Sequence, residues 1–306
     1  MEVTRDAFRG IRLGGKLRVD ITGYLFISPW LIGFLVFTLG PFLFSFYLGF
    51  TQWELLSPPE WVGLANYQRL LVDEKFRVSL YNTGFYALFH VPGLVILSFL
   101  LAVLLNNQVK GRAIFRTLFY IPSIVPAVAS ALLWVWILHP QFGLLNVGLR
   151  FLGIEGPNWL GSTRWVKPSI VLMSFWSIGN TVIIYLAGLQ SIPQSLYDAA
   201  EVDGANGWNK LLHVTVPMVT PTIFFSTVMG VIGSLQVFTA AYVLTEGGPG
   251  YASYFYVLYL YFTGFRWFNM SYASVLAWVL FLLTLTLTLI QLRISNRWVY
   301  YEAALE

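Results

Sequence analysis

Six long apolar stretches constrain what this chain can fold into. A membrane-spanning helix needs about 20 predominantly apolar residues. Six windows reach that length, at 24–50, 80–105, 115–138, 169–190, 219–244 and 271–292. Charged residues make up only 10% of the 306 residues, whereas a soluble domain has about a quarter. Because so few charges cannot cover a water-facing surface, the sequence predicts an all-α integral membrane protein with six transmembrane helices.

The distribution of Lys and Arg predicts which ends face the cytoplasm. If both termini are cytoplasmic, the inner segments hold eleven of the 18 basic residues: Arg5, Arg9, Arg12, Lys16, Arg18, Lys110, Arg112, Arg116, Lys210, Arg293 and Arg297. The longer outer loops hold the other seven: Arg69, Lys75, Arg77, Arg150, Arg164, Lys167 and Arg266. Basic residues favour cytoplasmic loops. The sequence therefore predicts a cytoplasmic arm at 1–23, a transmembrane domain at 24–294 with a cytoplasmic loop at 191–218, and a cytoplasmic tail at 295–306.

The scarcity of ionisable residues in the windows weighs against other membrane functions. A stand-alone secondary carrier, the main alternative, usually places charged ligands for its coupling ion inside the bilayer. A membrane-embedded enzyme would need clustered His, Asp or Glu, yet the chain has three histidines, at 90, 139 and 213, and no cysteine. Only His90 lies well inside a window, where it is either a hydrogen-bonded packing residue or a proton relay. The sequence predicts no catalytic residue, no metal site and no nucleic-acid partner.

A phosphate-loop pattern near the N-terminus is incomplete. Residues 10–16 fit Gly-x-x-x-x-Gly-Lys, but Leu17 follows where a magnesium-binding Ser or Thr is needed. No strand precedes the pattern. A basic arm at the membrane surface is the better interpretation, so the chain is not expected to hydrolyse ATP.

A polar segment at 198–217 interrupts the apolar sequence. Gly204 is placed to end one short helix in the left-handed conformation, and Asn206 is placed to cap the next. Pro217 is expected to break the hydrogen-bond pattern before the fifth window. The segment is either an ordinary loop packed on its own protein or two short helices presented to a partner.

The spacing within this segment resembles a known signature. Residues 198–200 read Asp-Ala-Ala, Gly204 follows after three residues, and 214–217 read Val-Thr-Val-Pro after nine more. This resembles the "EAA" motif of permease subunits of ATP-binding-cassette (ABC) importers, with Asp for Glu and Val for Ile and Leu. Further similarity narrows it to the maltose- and glycerol-phosphate-type carbohydrate branch: Trp-Val-Gly-Leu-Ala-Asn-Tyr at 61–67, Leu-Gln-Ser-Ile-Pro at 189–193 and Leu-Thr-Glu-Gly-Gly-Pro at 244–249.

The resemblance implies a type I importer permease that forms half of a sugar pathway. Its implied partners are a second homologous permease, a dimer of ATPase subunits that binds ATP and Mg²⁺, an external solute-binding protein and the lipid bilayer of a bacterial or archaeal inner membrane. No cofactor is implied for this chain. The segment would be the coupling helix seated on the ATPase, with these implied site residues: Asp198 and Glu201 as anionic contacts, Ala199, Ala200 and Gly204 at close approach, Trp208 and Leu212 as anchors, and Pro217.

The uncharged windows also suggest where a sugar could pass. Asn180 lies about 13 residues beyond Lys167, roughly 20 Å into the bilayer. Trp176 and Ser177 share its predicted helical face, and the resemblance implies a sugar-lining role for all three, with Ser234, Gln236 and Phe238 on the fifth span. Two alternatives remain: these side chains join helices by hydrogen bonds, or the partner permease holds the sugar and this chain only lines a passage.

The aromatic stretch 254–268 is expected to form an interfacial helix on the external side. It could seat the binding protein, or it could belong to the helical core.

Overall fold

The computed structural model describes residues 23–107 and 110–300, most of which are helical. The incomplete phosphate loop, nearly all of the predicted arm and the last six residues lie outside the described ranges. The helices are α1 (Gly23–Leu48), α2 (Ala65–Val72), α3 (Glu74–Asn106), α4 (Arg112–Ile124), α5 (Ala127–Ile137), α6 (Leu144–Phe151), α7 (Val166–Ser177), α8 (Gly179–Gln190), α9 (Gln194–Val202), α10 (Gly207–Leu235), α11 (Thr239–Thr245), α12 (Tyr256–Tyr261) and α13 (Met270–Ser295). Strands β1 (Thr51–Gln52) and β2 (Glu60–Trp61) form a short antiparallel pair.

Within the described residues, four helices, α1, α3, α10 and α13, are long and apolar enough to cross a membrane. The number rises to six if each of two bent pairs, α4 with α5 and α7 with α8, counts as one span. Four of the six predicted windows thus each contain one helix long enough to span, and the other two are broken pairs.

The third window differs most from a straight span. Helices α4 and α5 meet at 102°. The break follows from Pro126, because a proline disfavours the helical conformation of the residue before it. Val125 is accordingly extended, with φ −70° and ψ 132°, and α4 ends at Ile124.

The fourth window is bent by 50° between α7 and α8. Residues Phe175–Ser177 form a 3₁₀ turn at the break. At 1.5 Å per residue, α7 and α8 each extend about 18 Å, so the break lies near mid-membrane. Two glycines allow close packing there: a Cβ at Gly179 would lie 2.5 Å from the Phe119 carbonyl oxygen, and one at Gly93 of α3 would lie 2.3 Å from the Phe175 ring.

The hydrogen-bond pattern does change before Pro217, as expected, but the second of the two predicted short helices does not end there. Helix α10 runs without interruption from Gly207 through Pro217 to Leu235. The reason is a π-helical turn at Leu211–Thr215, immediately before the proline. The wider π turn accommodates the missing N–H and the ring within the helix. The predicted window 219–244 also ends early, because α10 stops at Leu235 and α11 follows as a separate helix.

Two buried clusters lie at opposite ends of the bundle. One surrounds α12 and includes Tyr254, Phe255 and Tyr256 with Tyr272 and Leu276 of α13. The predicted interfacial stretch is therefore largely core in its first half, while Phe265, Trp267 and Phe268 remain exposed. The other cluster joins α3, α8 and the start of α10, and holds the polar 191–218 segment described next.

Candidate functional site

The 191–218 segment forms a short helix, a tight turn and the first turns of α10. Helix α9 ends in a Schellman motif, in which Ala205 N–H donates to the Ala200 carbonyl at 2.8 Å and Gly204 N–H to the Glu201 carbonyl at 3.0 Å. Gly204 has φ +76°, the left-handed conformation expected from the sequence. Asn206 then caps α10 by accepting from Asn209 N–H at 2.9 Å. Both predicted helix-end residues are confirmed.

Side-chain contacts brace α9 against α10. Lys210 donates to the Glu201 carboxylate, and the Tyr197 hydroxyl lies 3.0 Å from the Thr215 hydroxyl. Glu201, expected to contact an ATPase, is therefore engaged within this chain. The Asp198 carboxylate accepts from the Gln194 amide at 3.1 Å and stays exposed.

The outer side of the segment exposes apolar side chains to solvent. Trp208 is 65% exposed, Val202 is 89% exposed, and Leu212 is also exposed. Ala199 is exposed and Ala200 half-buried on α9. The sequence analysis named Trp208 and Leu212 as candidate anchors for a partner but did not name Val202. The only sequence signal for Val202 is its apolar side chain at the end of an otherwise polar helix. An exposed apolar surface rimmed by charges is typical of a protein interface.

The segment is attached rigidly to the bundle. Ile192 and Leu189, at its start, are buried with Val219 of α10 and with Tyr185 and Ala102 deeper in the bundle. Buried contacts therefore join the 191–218 segment to α8 and α10.

Three predicted sugar-lining residues lie at the mid-membrane break between α7 and α8. Trp176, which is 43% exposed, and Ser177 belong to the 3₁₀ turn, and Asn180 follows in the first turn of α8. All three are exposed, although the bend at Ile178 means that they do not share one continuous helical face. Non-helical backbone at membrane depth is tolerated where it is buried in protein or lines a water-filled cavity.

The three residues predicted to line the pathway from the fifth window differ in their exposure. Ser234 is fully buried and its hydroxyl donates to the Val231 carbonyl, so the expectation that it lines a pathway is wrong for this conformation. Gln236 is exposed in the break between α10 and α11, and Phe238 is half-buried with its ring stacked 5.5 Å from that of Tyr242.

The two sets of residues do not meet in one cavity. Ser177 lines a space of about 310 Å³. Gln236 lines a separate one of about 430 Å³ against α12 and α13. The first cavity also contains His90, whose ring nitrogen lies 2.7 Å from the Ser174 hydroxyl and whose ring stacks on Tyr86 at 5.0 Å. These contacts match the packing interpretation of His90.

At the opposite end from the 191–218 segment, Asp73 organises a polar cluster. Its carboxylate caps α3 by accepting from Lys75 N–H at 2.9 Å, and it also accepts from the hydroxyls of Tyr259 and Tyr272. Burial raises the pKa of Asp73, but these hydrogen bonds outweigh it and hold the pKa below its usual value. Arg69 stacks on the Tyr272 ring, with its guanidinium carbon 4.3 Å from the ring centroid.

Comparison with known proteins supports the family resemblance that the motif at 198–217 indicated. A family model described as "binding-protein-dependent transport system inner membrane component" matches residues 94–299. The probable ABC transporter permease protein YesP of Bacillus subtilis is 41% identical, covering 98% of this chain and 99% of that protein. The trehalose/maltose transport system permease protein MalF of Thermococcus litoralis is 34% identical, covering 92% and 96%. The lactose transport system permease protein LacF of Rhizobium radiobacter is 33% identical, covering 90% and 94%.

Two solved structures have a fold similar to that of this chain. A chain of a bacterial ABC transporter involved in the import of the acidic polysaccharide alginate superposes with a TM-score of 0.82 at 26% identity, covering 94% of this chain and 99% of that one. A second structure of the alginate transporter, in complex with its alginate pentasaccharide-bound periplasmic protein, gives the same score at 25% identity, covering 94% and 98%. This chain therefore belongs to the family of binding-protein-dependent transport system inner membrane components, as a multi-pass membrane permease of the carbohydrate ABC importer type.

Proposed function

We propose that the chain is one of two permease subunits of a sugar importer driven by a separate pair of ATPase subunits. The observation that carries the proposal is the construction of the 191–218 segment. It is a helix end fixed by hydrogen bonds, outwardly apolar and rigidly joined to α8 and α10. Such a projection suits a groove on a partner better than packing on its own chain.

The proposed motion follows from these attachments. ATP and Mg²⁺ are bound by the ATPase pair, whose closure draws the segments of the two permeases together. Because Ile192 and Leu189 are buried against α10, that displacement tilts the packed helices and exposes the pathway to the opposite side of the membrane. In this scheme the ATPase pair supplies the catalytic groups, and no cofactor is assigned to the permease.

Within the segment we assign different roles to neighbouring residues. Trp208, Leu212 and Val202 are proposed to fill the partner groove, since they present the largest exposed apolar surface there. Asp198 is proposed as the anionic contact to the ATPase. Glu201 acts through Lys210 to hold the two helices together.

The sugar is proposed to pass the break between α7 and α8. Trp176 offers an exposed aromatic face, and Ser177 and Asn180 offer uncharged hydrogen-bonding groups at the same depth. These are groups that bind sugars without formal charge. Gln236 is proposed to contact the sugar only after α10 and α11 rearrange, because in this conformation it lines a different cavity.

The external end is proposed to receive a sugar-loaded binding protein. The alginate transporter that matches this fold has been solved with such a protein. In this chain the exposed rings of Trp267, Phe265 and Phe268 lie at that end, and aromatic residues are enriched at interfaces.

Replacement of Trp208 by Ala tests the proposed function. Co-expressed with its partners, the wild-type permease should co-purify with the ATPase and support ATP-dependent uptake from a loaded binding protein. The Trp208→Ala variant should lose most of the ATPase co-purification and most of the ATP-dependent uptake. Trp61→Ala is a matched control, because Trp61 is also 65% exposed but lies outside the segment; ATPase association should be unchanged in that variant.

Reconstitution of the chain alone separates an importer subunit from a secondary carrier. The proposal predicts no transport without the ATPase. Gradient-driven uptake by the isolated chain, or normal ATPase association of Trp208→Ala, would contradict it.

The cytoplasmic position of the segment can be tested separately. The chain has no cysteine, so Asp203→Cys and Arg164→Cys each introduce a single exposed thiol. In intact spheroplasts, a membrane-impermeant maleimide should label Arg164→Cys, whereas Asp203→Cys should react only after permeabilisation. The reverse pattern would invert the proposed orientation.

A further inference from the structure

Helix α4 has an environment that the transport mechanism leaves unexplained. It is short, meets α5 at 102° and exposes Ile114, Phe115 and Leu118. Two arginines, Arg112 and Arg116, lie one turn apart on it. An apolar helix surface carrying basic residues is typical of segments at a membrane interface.

Grooves lie on both sides of α4. One, of about 370 Å³, separates α4 from α8 and is lined mainly by apolar side chains, among them Leu105, Tyr120, Ile183 and Leu186, with Arg116. The other, of about 290 Å³, separates α4 from the end of α3 and is lined by Leu101, Leu104, Phe115 and Arg112. Each groove therefore combines an apolar wall with one guanidinium group.

The charge of Arg116 is not compensated within the described part of the chain. Its Nη2 donates to the Leu105 carbonyl at 3.2 Å, but its buried Nε has no hydrogen-bond partner there. No described carboxylate lies within ion-pair distance of either arginine. Arg116 lines the larger groove, and a guanidinium group that pairs with no described carboxylate favours an anionic ligand there.

The position of the grooves limits what that ligand can be. Gln190, the last residue of α8, lines the larger groove, so the groove opens at the membrane end from which the 191–218 segment emerges. The walls are apolar and Ile183 is exposed along them, as suits an acyl chain. The chain's own N-terminal arm is a poor occupant, because it carries five basic residues at 5, 9, 12, 16 and 18 that the arginines would repel.

We propose that an anionic phospholipid binds beside α4, with its phosphate on Arg116 and an acyl chain in the groove between α4 and α8. Arginine binds phosphate through two parallel hydrogen bonds, and basic pockets between helices on the cytoplasmic side hold anionic headgroups. The assignment of this lipid to the cytoplasmic leaflet rests on the proposed orientation of the chain, whereas the lipid site itself does not. Since α8 forms one wall and leads directly into the 191–218 segment, bound lipid stabilises the base of that segment.

Lipid retention by the assembled transporter tests the site. The complex is equilibrated in nanodiscs of phosphatidylcholine with added phosphatidylglycerol, moved to detergent, and the lipids on the permease are counted by native mass spectrometry. Wild type should retain phosphatidylglycerol in preference to phosphatidylcholine. Arg116→Gln should lose about fivefold in that preference, the effect of one basic residue near an anionic surface. Arg164→Gln, an exposed arginine outside both grooves, should match wild type.

A second variant, Ala187→Trp, tests the same site even if Arg116→Gln fails to fold. Ala187→Trp fills the larger groove from the α8 wall while leaving both arginines in place, and it should reduce phosphatidylglycerol retention as well. Added inorganic phosphate should not displace the lipid if the acyl chain contributes. Equal retention of the two lipids by wild type, or unchanged preference in both variants, would overturn the proposal. Uptake in pure phosphatidylcholine tests the importer function separately.

Discussion

Substitution of Gly204 tests how the geometry of the 191–218 segment supports coupling. Gly204 has φ +76° in the Schellman motif that ends α9. A Cβ there would meet no atom of this chain within 4 Å. Crowding by the rest of the chain therefore contributes nothing, and the cost of a side chain is the left-handed backbone itself, about 1–2 kcal/mol for an L-residue and more for a β-branched one.

That cost predicts a graded series of variants. One to two kcal/mol corresponds to a factor of about 5 to 30 in a two-state population. Gly204→Val should therefore lower the equilibrium constant for the correctly formed helix end by at least that factor, and it should lower the amount of sugar taken up per ATP hydrolysed. Gly204→Asn should stay close to wild type, because asparagine adopts the left-handed conformation readily.

The assay compares uptake with ATP hydrolysis in proteoliposomes holding the complete importer and saturating binding protein. Gly204→Val should insert and assemble normally but hydrolyse ATP with little uptake. Wild-type uptake by Gly204→Val would refute the reasoning. Equal failure of Gly204→Asn and Gly204→Val would show that close approach of the ATPase, rather than backbone conformation, requires glycine.

Three further variants test the rest of the structure. Asp73→Asn removes a charged acceptor of two tyrosine hydroxyls and should lower the free energy of unfolding by about 1–2 kcal/mol at neutral pH, while Glu74→Gln, at the exposed neighbouring carboxylate, should not. Because the folded pKa of Asp73 is depressed, its contribution is complete above the unfolded pKa; in thermal unfolding scans, the difference from Asp73→Asn should disappear as pH falls through the folded value. Asn180→Ala should raise the KM for the loaded binding protein or lower maximal uptake severalfold, whereas Ser234→Ala, at a buried site, should leave uptake unchanged; equal uptake in wild type and Asn180→Ala would favour a passive passage. Gln236→Ala should affect uptake only if α10 and α11 rearrange during transport. Single-turnover uptake measurements would detect this effect.

The sequence by itself determined the class of protein and the design of the 191–218 segment. Apolar length and scarce charge require a helical membrane protein, because unpaired backbone groups are too costly in lipid. The conformation of Gly204 and the cap at Asn206 were predictable because helix ends depend on a few adjacent residues. The motif spacing at 198–217 was sufficient to indicate the family, which the comparisons confirm.

The tertiary structure decided where helices bend and which side chains share a cavity. The break at Val125 has a local cause in Pro126. At the bend between α7 and α8, by contrast, Gly179 and Phe175 pack closely on Phe119 and Gly93, which are distant in sequence. Pro217 alone predicted a helix end, yet a π turn before it keeps α10 continuous. Likewise, Ser234 and Gln236 are two residues apart but one is buried and the other exposed, because packing between helices, rather than residue type, decides which polar side chain faces the pathway.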